Sequence, residues 1–454
     1  MTAFVSAEQV GQISRDKRVK LVTENQPQQF SAFFTASDSI VPGASGESYS
    51  WGWKVTTSNT MLPAGASQRL VYVIDSGVAD HIDLNVVKRT NVACGTGVEN
   101  CSTGSANDNF PVVGCYPHAT HVAGIIGAMG DNGQTSAGIY PGVKIVSVSI
   151  LRADESTNGI CAATASPGST SANIGYALDW IRKTTLLRVQ SLGDTQVPIV
   201  SMSANSGQLG FDFNGQAETN RSKLLALVSP AQSVCAPAGY WESKLCALVN
   251  YPGAFFAQSA GNQTAFVNYA GPGAGRNVCS EFFQGVTGSS LAFTHAYPNY
   301  ATTNPNDGVM VVGAIHSDGA AVDIIPDNSR QYSDTNPTGL LPTNPTSSNY
   351  GACLDTWGPG NRVYSTWCLQ MPGTGQGCVT NAQYSGNGTS GGQGWAFLSG
   401  TSMAAPHVAG AAAYLADSQG LTTPASIEQA VRQKLTPTGF SDQANQPVNI
   451  VQIP

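Results

Sequence analysis

The chain has 454 residues, of which 41% are hydrophobic and 11% are charged, so it carries enough apolar surface for a large core. Its formal net charge of −7 argues against a nucleic-acid or anionic-membrane partner, and no apolar run approaches the roughly 20 residues that span a membrane. Ten cysteines without a Cys-x-x-Cys pair favour disulfide bonds over a zinc site and indicate a secreted or periplasmic protein.

The N-terminal region differs from the rest of the chain. Residues 1–30 lack the charged and then apolar pattern of a signal peptide. Residues 6–13 combine a capping box with one apolar face and predict a short helix, and residues 19–22 predict a strand. A polar connector follows at 27–50. We therefore divide the chain into an N-terminal segment, 1–49, and one large domain, 50–454.

The first long apolar run, Leu70–Gly77, predicts a strand that is buried on both faces because it does not alternate with polar residues. It ends in Asp75 and a glycine turn. Ligand sites in open parallel sheets gather at the carboxyl ends of strands, which makes Asp75 a candidate functional residue. The alternative is a residue that only forms the turn.

Two histidines start the next segment, Pro117–Gly127, whose small residues predict a helix. His118 would lie in its first turn and His121 about one turn further in. The spacing of three, with no Glu between the two, does not match the zinc-protease pattern. A buried histidine more often packs than catalyses, so either histidine has a structural alternative.

Further along, apolar strands alternate with helices. We predict strands at Lys144–Leu151 and Val309–Ala314 and a helix at Ser171–Lys183. This alternation indicates an α/β fold with a doubly wound, mostly parallel sheet flanked by helices, and with long loops. Two more predicted strands end in polar turns, namely Ser203-Ala204-Asn205 and Ala260-Gly261-Asn262.

A serine hydroxyl marks the segment 400–410, where Gly400 and Thr401 precede Ser402 and a run of small residues that predicts a helix. A serine at a helix N-terminus is expected to be exposed and to lie in a positive local field that stabilises an oxyanion. The alternative is a helix N-cap. The nearby Gly-x-Ser-x-Gly motif at 388–392 is not a nucleophile elbow, because it follows a polar loop with no acid between it and His407. We expect His407 to be a buried histidine with a structural role in the same helix as Ser402.

Together these segments resemble the subtilisin family (subtilases) of serine peptidases. Asp75 stands in the family's Asp-Ser/Thr-Gly motif, His118 in its His-Gly-Thr-His motif and Ser402 in its Gly-Thr-Ser-Met-Ala motif. Their order along the chain is that of subtilisin itself. Asn262 matches the asparagine of the family's Ala-Gly-Asn motif. The sequence departs from the family at Ala119, where a glycine is usual.

The resemblance implies a serine endopeptidase that cuts proteins or peptides through an acyl-enzyme intermediate. Ser402 would be the nucleophile, His118 the general base and acid, and Asp75 the residue that orients the imidazole. Asn262 would donate to the oxyanion. The substrate-binding residues would be Ser203, Ala204, Asn205, Ala260 and Gly261. No cofactor is required for this chemistry, and we expect a monomer.

Three alternatives stay open. The rival function is a catalytically silent subtilase fold used for binding, which Ala119 or a retained prosegment would permit. Residues 1–49 resemble the last part of an inhibitory propeptide, as in a zymogen, or else form an ordinary N-terminal extension. Asp83 matches a calcium-ligating aspartate of some relatives, so a structural calcium is one interpretation, and ordinary solvated loop polarity is the other.

Disulfide bonds are predicted from local spacing, because each short-range pair would close one loop. These pairs are Cys94–Cys101, Cys235–Cys246 and Cys368–Cys378. The other four, Cys115, Cys161, Cys279 and Cys353, would pair among themselves in an order that the spacing does not fix.

Overall fold

The fold is taken from a computed structural model. It describes residues 9, 13, 27–30, 33–34, 40–42, 47–63, 69–92, 118–133, 136–150, 169–206, 244–245, 247–249, 251–262, 308–317, 324–326, 348–351, 354–368, 394–442 and 445–454. Gln9 and Ile13 are helical, in agreement with the predicted helix at 6–13, whose other residues lie outside the described ones. The strand predicted at 19–22 also lies outside them.

The described strands range from two to nine residues in length. They are β1 (Pro27–Phe30), β2 (Phe33–Phe34), β3 (Ile40–Pro42), β4 (Ser48–Ser50), β5 (Leu70–Asp75), β6 (Val86–Asn91), β7 (Lys144–Ser149), β8 (Ser169–Thr170), β9 (Ile199–Met202), β10 (Ala204–Ser206), β11 (Phe255–Ser259), β12 (Val309–Ser317), β13 (Ile324–Pro326), β14 (Thr356–Pro359), β15 (Val363–Trp367), β16 (Gly394–Ser399), β17 (Leu435–Ser441) and β18 (Pro447–Val451). The helices described over their whole length are α1 (Trp51–Thr56), α2 (His118–Gly127), α3 (Ser171–Leu192), α4 (Thr401–Ser418) and α5 (Pro424–Arg432).

A ten-stranded sheet forms the centre of the molecule. Its order is β17-β18-β14-β12-β11-β9-β5-β7-β6, with β13 added beside β12. The pairs β17–β18 and β12–β13 are antiparallel and the others are parallel. The strands at its centre are buried along their length, as expected for a sheet with both faces covered. The predicted doubly wound, mostly parallel sheet is confirmed.

Helix α4 runs through the interior, and its small residues make that possible. A Cβ atom at Gly410 would lie 2.7 Å from Cβ of Ile139, which is too close for any side chain. Across the helix, a Cβ at Gly358 of β14 would lie 2.8 Å from the carbonyl oxygen of Ala404. Close packing of this kind lets the helix lie against the central strands β9, β11, β12 and β14.

Two predicted elements are longer in the structure than in the sequence prediction. Helix α3 continues from Lys183 to Leu192. Within this extension Thr185 is buried and Leu187 and Leu192 are exposed, and Gly193, whose φ is 63°, ends the helix. Strand β12 continues past Ala314 to Ser317, because its last residues pair with β13.

Candidate active site

The carboxyl ends of three neighbouring strands bring the predicted residues to one edge of the sheet. Asp75 is the last residue of β5. Ser203 directly follows β9, and Asn262 follows β11 by three residues. Strand β9 pairs in parallel with both β5 and β11, so these ends lie side by side. The helix that carries Ser402 begins at the same edge, as a ligand site in an open parallel sheet requires.

Asp75 and His118 form a direct pair. Nδ1 of His118 lies 2.8 Å from Oδ2 and 2.9 Å from Oδ1 of Asp75, and both side chains are buried. The backbone N–H of Ser76 donates to the same carboxylate at 2.6 Å. A carboxylate at Nδ1 holds the proton on that nitrogen, which makes Nε2 the basic nitrogen of the ring. The pair therefore sets the tautomer that a general base needs.

Helix α2 holds His118 against two neighbours. On one side, the N–H of Ala119 donates to Oγ of Ser76 at 3.0 Å, which ties the helix start to the turn after Asp75. On the other side, Thr366 of β15 donates its hydroxyl to the carbonyl of Thr120 at 2.7 Å. Ala119 itself is fully buried. The methyl group that distinguishes it from the family's glycine is thus accommodated without separating His118 from Asp75.

Ser402 and Ser203 exchange hydrogen bonds. The Ser402 hydroxyl donates to the Ser203 carbonyl at 3.2 Å, and the Ser203 hydroxyl donates to the Ser402 carbonyl at 3.2 Å. The second bond follows from Pro406, which has no N–H for the Ser402 carbonyl to accept within the helix. Attack would require the Ser402 hydroxyl to turn from Ser203 toward the His118 ring.

The expectation that Ser402 is exposed is wrong, because the side chain is fully buried. Strand β1 pairs with β10, which begins one residue after Ser203, and β2 pairs with β16, which ends three residues before Ser402. Ser402 does not cap its helix either. The N-cap is Gly400, whose φ of 149° lies in the region that favours glycine.

Thr401 fixes the orientation of Asn262. Oδ1 of Asn262 accepts the N–H of Thr401 at 2.9 Å and the hydroxyl of Thr401 at 2.9 Å. That hydroxyl in turn accepts the N–H of Gly261 at 3.0 Å. Two donors on Oδ1 turn the Nδ2 end of the amide away from Thr401. The sequence prediction missed this role of Thr401, although its hydroxyl next to Ser402 was a visible signal.

The predicted substrate-binding residues lie on two strand ends. Ala204 and Asn205 belong to β10, which pairs antiparallel with β1. Asn349, another residue that sequence reasoning missed, donates its side-chain amide to the Ala260 carbonyl at 2.7 Å and its N–H to the Gly261 carbonyl at 2.8 Å. Gly261 has a φ of 97°, a conformation that a side chain would strain.

Two other histidines near the site have structural roles. Nε2 of His121 lies 3.0 Å from the carbonyl oxygens of both Val363 and Ala396, and burial lowers the pKa of His121 to about 3. Nδ1 of His407 lies 2.7 Å from the Met403 carbonyl one turn earlier in α4, and burial lowers the pKa of His407 to about 4. The prediction that His407 packs is confirmed.

Asp83 is buried and faces nitrogen donors. Its Oδ1 accepts the side-chain amide of Asn132 at 2.8 Å, and burial raises its pKa from 3.8 to about 7. Glu47 accepts the N–H groups of residues 131–133 nearby. Within the described ranges no cluster of three Asp, Glu, His or Cys side chains gathers. As arranged, these carboxylates do not build a set of oxygen ligands, so we derive no step through calcium.

The fold and the site together define a class. The structure combines a doubly wound, mostly parallel sheet, an Asp75–His118 pair at its carboxyl edge and a buried helix with Ser402 in its first turn, which are features of subtilisin-like α/β proteins. A sequence model of the Subtilase family matches residues 67–448. The chain therefore belongs to the subtilase family of serine peptidases.

Individual relatives match over shorter stretches. Alkaline protease 1 of Aspergillus clavatus is 30% identical over 160 residues, which is 34% of this chain and 34% of that protein. Subtilisin-like protease 2 of Pseudogymnoascus destructans is 33% identical over 149 residues, which is 33% of this chain and 31% of that protein. The chain thus spans about a third of the length of these curated relatives in the matched regions.

A solved structure supports the fold. Fervidolysin from Fervidobacterium pennivorans, described as a keratinolytic enzyme related to subtilisin, superposes on 94% of this chain and 50% of that one with a TM-score of 0.50. The two sequences are 17% identical. At this level the likeness shows a shared fold.

Proposed function

We propose that the chain is a serine endopeptidase with Ser402 as its nucleophile. The observation that carries the proposal is the 2.8 Å contact between Asp75 and Nδ1 of His118 at the strand ends beside Ser402. In the reaction, Oγ of Ser402 attacks the scissile carbonyl carbon and its proton passes to Nε2 of His118. His118 then gives that proton to the leaving amine, and Asp75 stabilises the imidazolium in between. Water hydrolyses the resulting ester by the same steps.

The oxyanion would be stabilised by two donors. One is the side-chain amide of Asn262, which Thr401 orients. The other is the N–H of Ser402, which belongs to a first helical turn whose N–H groups lack helical acceptors. In subtilisin itself, removal of one such donor lowers turnover about 10²–10³-fold. These donors would thus supply a large part of the rate.

Proteins and peptides are the proposed substrates. The edge formed by β10 is supported as a binding surface because it already pairs with an extended segment, β1. Main-chain pairing of this kind provides affinity without reading side chains. Ser203, Ala204 and Asn205 would form one wall, and Ala260 and Gly261 the other.

The remaining features of the proposal concern the whole chain. Residues 1–49 would act as a propeptide-like segment and connector, and residues 50–454 as a monomeric peptidase domain that needs no cofactor. The ten cysteines support a secreted or periplasmic location. Cys368 is disulfide-bonded, and the other cysteines lie outside the described residues. Of the helices that the structure describes, none is long and apolar enough to cross a membrane.

Labelling with a serine-reactive fluorophosphonate probe tests the function. The mature wild-type chain should be labelled, and the Ser402→Ala chain should not. Absence of labelling in the folded, mature wild type would favour the silent binding fold. Equal labelling of both chains would mean that another serine reacts.

A further inference from the structure

A glutamine interrupts the apolar interior next to the proposed substrate-binding walls. Gln258 is the next to last residue of β11 and is fully buried. It lies opposite Met202 of β9 and Val311 of β12, and both belong to one apolar cluster. Phe256 and Ala260, two residues away on the same face of the chain, belong to that cluster as well. An amide in such surroundings is unfavourable unless its donors and its acceptor find partners.

The nitrogen end of this amide joins the two walls. Nε2 of Gln258 donates to the Ala204 carbonyl at 3.0 Å and to the Ser259 carbonyl at 3.1 Å. Ala204 belongs to one wall, and Ser259 directly precedes Ala260 of the other. A side-chain amide has two N–H donors, and these carbonyls use both of them. Gln258 therefore holds the two walls at a fixed separation.

The oxygen end of the amide has no such use. Because the two carbonyl oxygens can only accept, the nitrogen must face them and Oε1 must turn away. Oε1 of Gln258 is buried and has no hydrogen-bond partner in the part of the chain that the structure describes. The geometry of an amide puts Oε1 about 2.3 Å from Nε2, so it lies beside the same two walls. A buried acceptor without a donor is unfavourable, and a donor from a bound substrate would remove that cost.

Both walls reach the reacting atoms. The Ser203 carbonyl accepts the Ser402 hydroxyl at 3.2 Å, and Ser203 directly precedes Ala204. On the other side, Asn262, the proposed oxyanion donor, directly follows Gly261. A substrate carbonyl held between Ser402 and Asn262 therefore belongs to a residue whose side chain lies beside the two walls.

We propose that Gln258 determines specificity by offering Oε1 to the side chain of that substrate residue, the one before the cleaved bond. The inference rests on the proposed peptidase function and deepens it. Because Oε1 only accepts, the substrate side chain must carry an N–H or O–H donor. A neutral donor fits better than a cation, since Met202 and Val311 on either side are apolar and provide no charge to compensate a buried cation. Among neutral side chains, that of glutamine carries two N–H donors at the greatest reach, so glutamine is the expected preference.

Three peptides that differ only in the residue before the cleaved bond test this proposal. That residue is glutamine, methionine or lysine, and methionine has about the length of glutamine without a donor. We expect the wild type to cleave the glutamine peptide with a kcat/KM about tenfold or more above that of either other peptide. Equal or slower cleavage of the glutamine peptide would overturn this inference and leave the peptidase function standing. A folded wild-type chain that cleaves no peptide at all would overturn both.

A pair of variants tests whether the preference comes from the amide. Gln258→Met keeps the length of the side chain and removes the amide, so the glutamine and methionine peptides should differ by no more than about twofold in kcat/KM. Ser201→Ala is the matched control. The Ser201 hydroxyl is also buried without a partner among the described residues, but Ser201 lies opposite Val73 and Ala257, which belong to the cluster on the other face of the sheet. This control should keep the wild-type ratio between the peptides.

Urea unfolding shows whether each variant is folded. A folded Gln258→Met enzyme that keeps the wild-type ratio would overturn the inference. An equal loss of kcat/KM on all three peptides would also overturn it, because a purely structural role predicts that result. The wild-type ratio needs no variant, so it decides the question even where Gln258→Met does not fold.

Discussion

Thr401→Val tests whether Thr401 positions the oxyanion asparagine. The substitution keeps the shape of the side chain and removes its hydroxyl. That hydroxyl donates to Oδ1 of Asn262 at 2.9 Å and accepts the N–H of Gly261 at 3.0 Å. The backbone N–H of Thr401 still donates to Asn262 at 2.9 Å, so the amide keeps one of its two restraints.

The magnitude follows from these contacts. A neutral hydrogen bond contributes about 1 kcal/mol net, and a buried N–H left without an acceptor costs about 1–3 kcal/mol. We expect Thr401→Val to lower the free energy of unfolding by about 1–3 kcal/mol. If the poorer orientation of Asn262 removes about 1 kcal/mol of transition-state stabilisation, kcat falls about fivefold to tenfold while KM changes little.

The assay is steady-state hydrolysis of a chromogenic peptide, with urea unfolding measured on the same variants. Thr401→Ser keeps the hydroxyl and is the control, with kcat within about twofold of wild type. Our reasoning would be refuted by a Thr401→Val enzyme of unchanged kcat, or by a Thr401→Ser enzyme that loses as much as the valine variant. A rise in KM alone would show that Thr401 acts on substrate binding instead.

Three further predictions follow from single contacts. Asp75→Asn should lower kcat by orders of magnitude, about 10⁴-fold in the trypsin example, with an unchanged circular dichroism spectrum, because the Asn amide can donate to Nδ1 and hold the imidazole in the wrong tautomer. For Asp83, whose pKa burial raises from 3.8 to about 7, the stabilising contribution is present below about pH 4 and is lost as the pH rises through 7. Asp83→Asn should therefore raise the melting temperature at pH 9 more than at pH 5, and an equal change at both pH values would contradict the assignment. Ala119→Gly should leave kcat within about twofold and lower unfolding stability by about 1 kcal/mol, since glycine is the poorer helix former.

Five of the ten strands of the central sheet, namely β5, β7, β9, β11 and β12, followed from the apolar runs alone. Strand β5 begins at Leu70 and helix α2 at His118, as predicted. A continuous apolar run indicates a strand buried on both faces, and the run of small residues after His118 indicates a closely packed helix. The end of helix α3 did not follow from such signals, since the apolar pattern breaks after Lys183: Thr185 is buried, whereas Leu187 and Leu192 are exposed. The sequence signal that was missed is Gly193, which directly follows the helix with a φ of 63° and donates its N–H to the Val189 carbonyl at 3.1 Å.

The site was predictable in its residues and less so in its contacts. Asp75, His118 and Asn262 were found because each ends a buried strand or starts a helix at the same sheet edge. The exchange of hydrogen bonds between Ser203 and Ser402 was not, because it joins residues 199 positions apart and depends on Pro406 lacking an N–H. The burial of Ser402 was also missed, since the sequence around a helix N-terminus does not show which distant parts of the chain pack over it.

The position of Ala119 weighs against the silent binding fold. If alanine at position 119 abolished catalysis by shifting the backbone, it would have to move His118 away from Asp75 or narrow the sheet edge beside the pair. Instead the Ala119 N–H donates to the hydroxyl of Ser76. Two residues before Ser76, Ile74 lies in the fully buried part of β5. The backbone at Ala119 is therefore tied to the turn that directly follows β5, and the 2.8 Å contact between Asp75 and His118 is preserved.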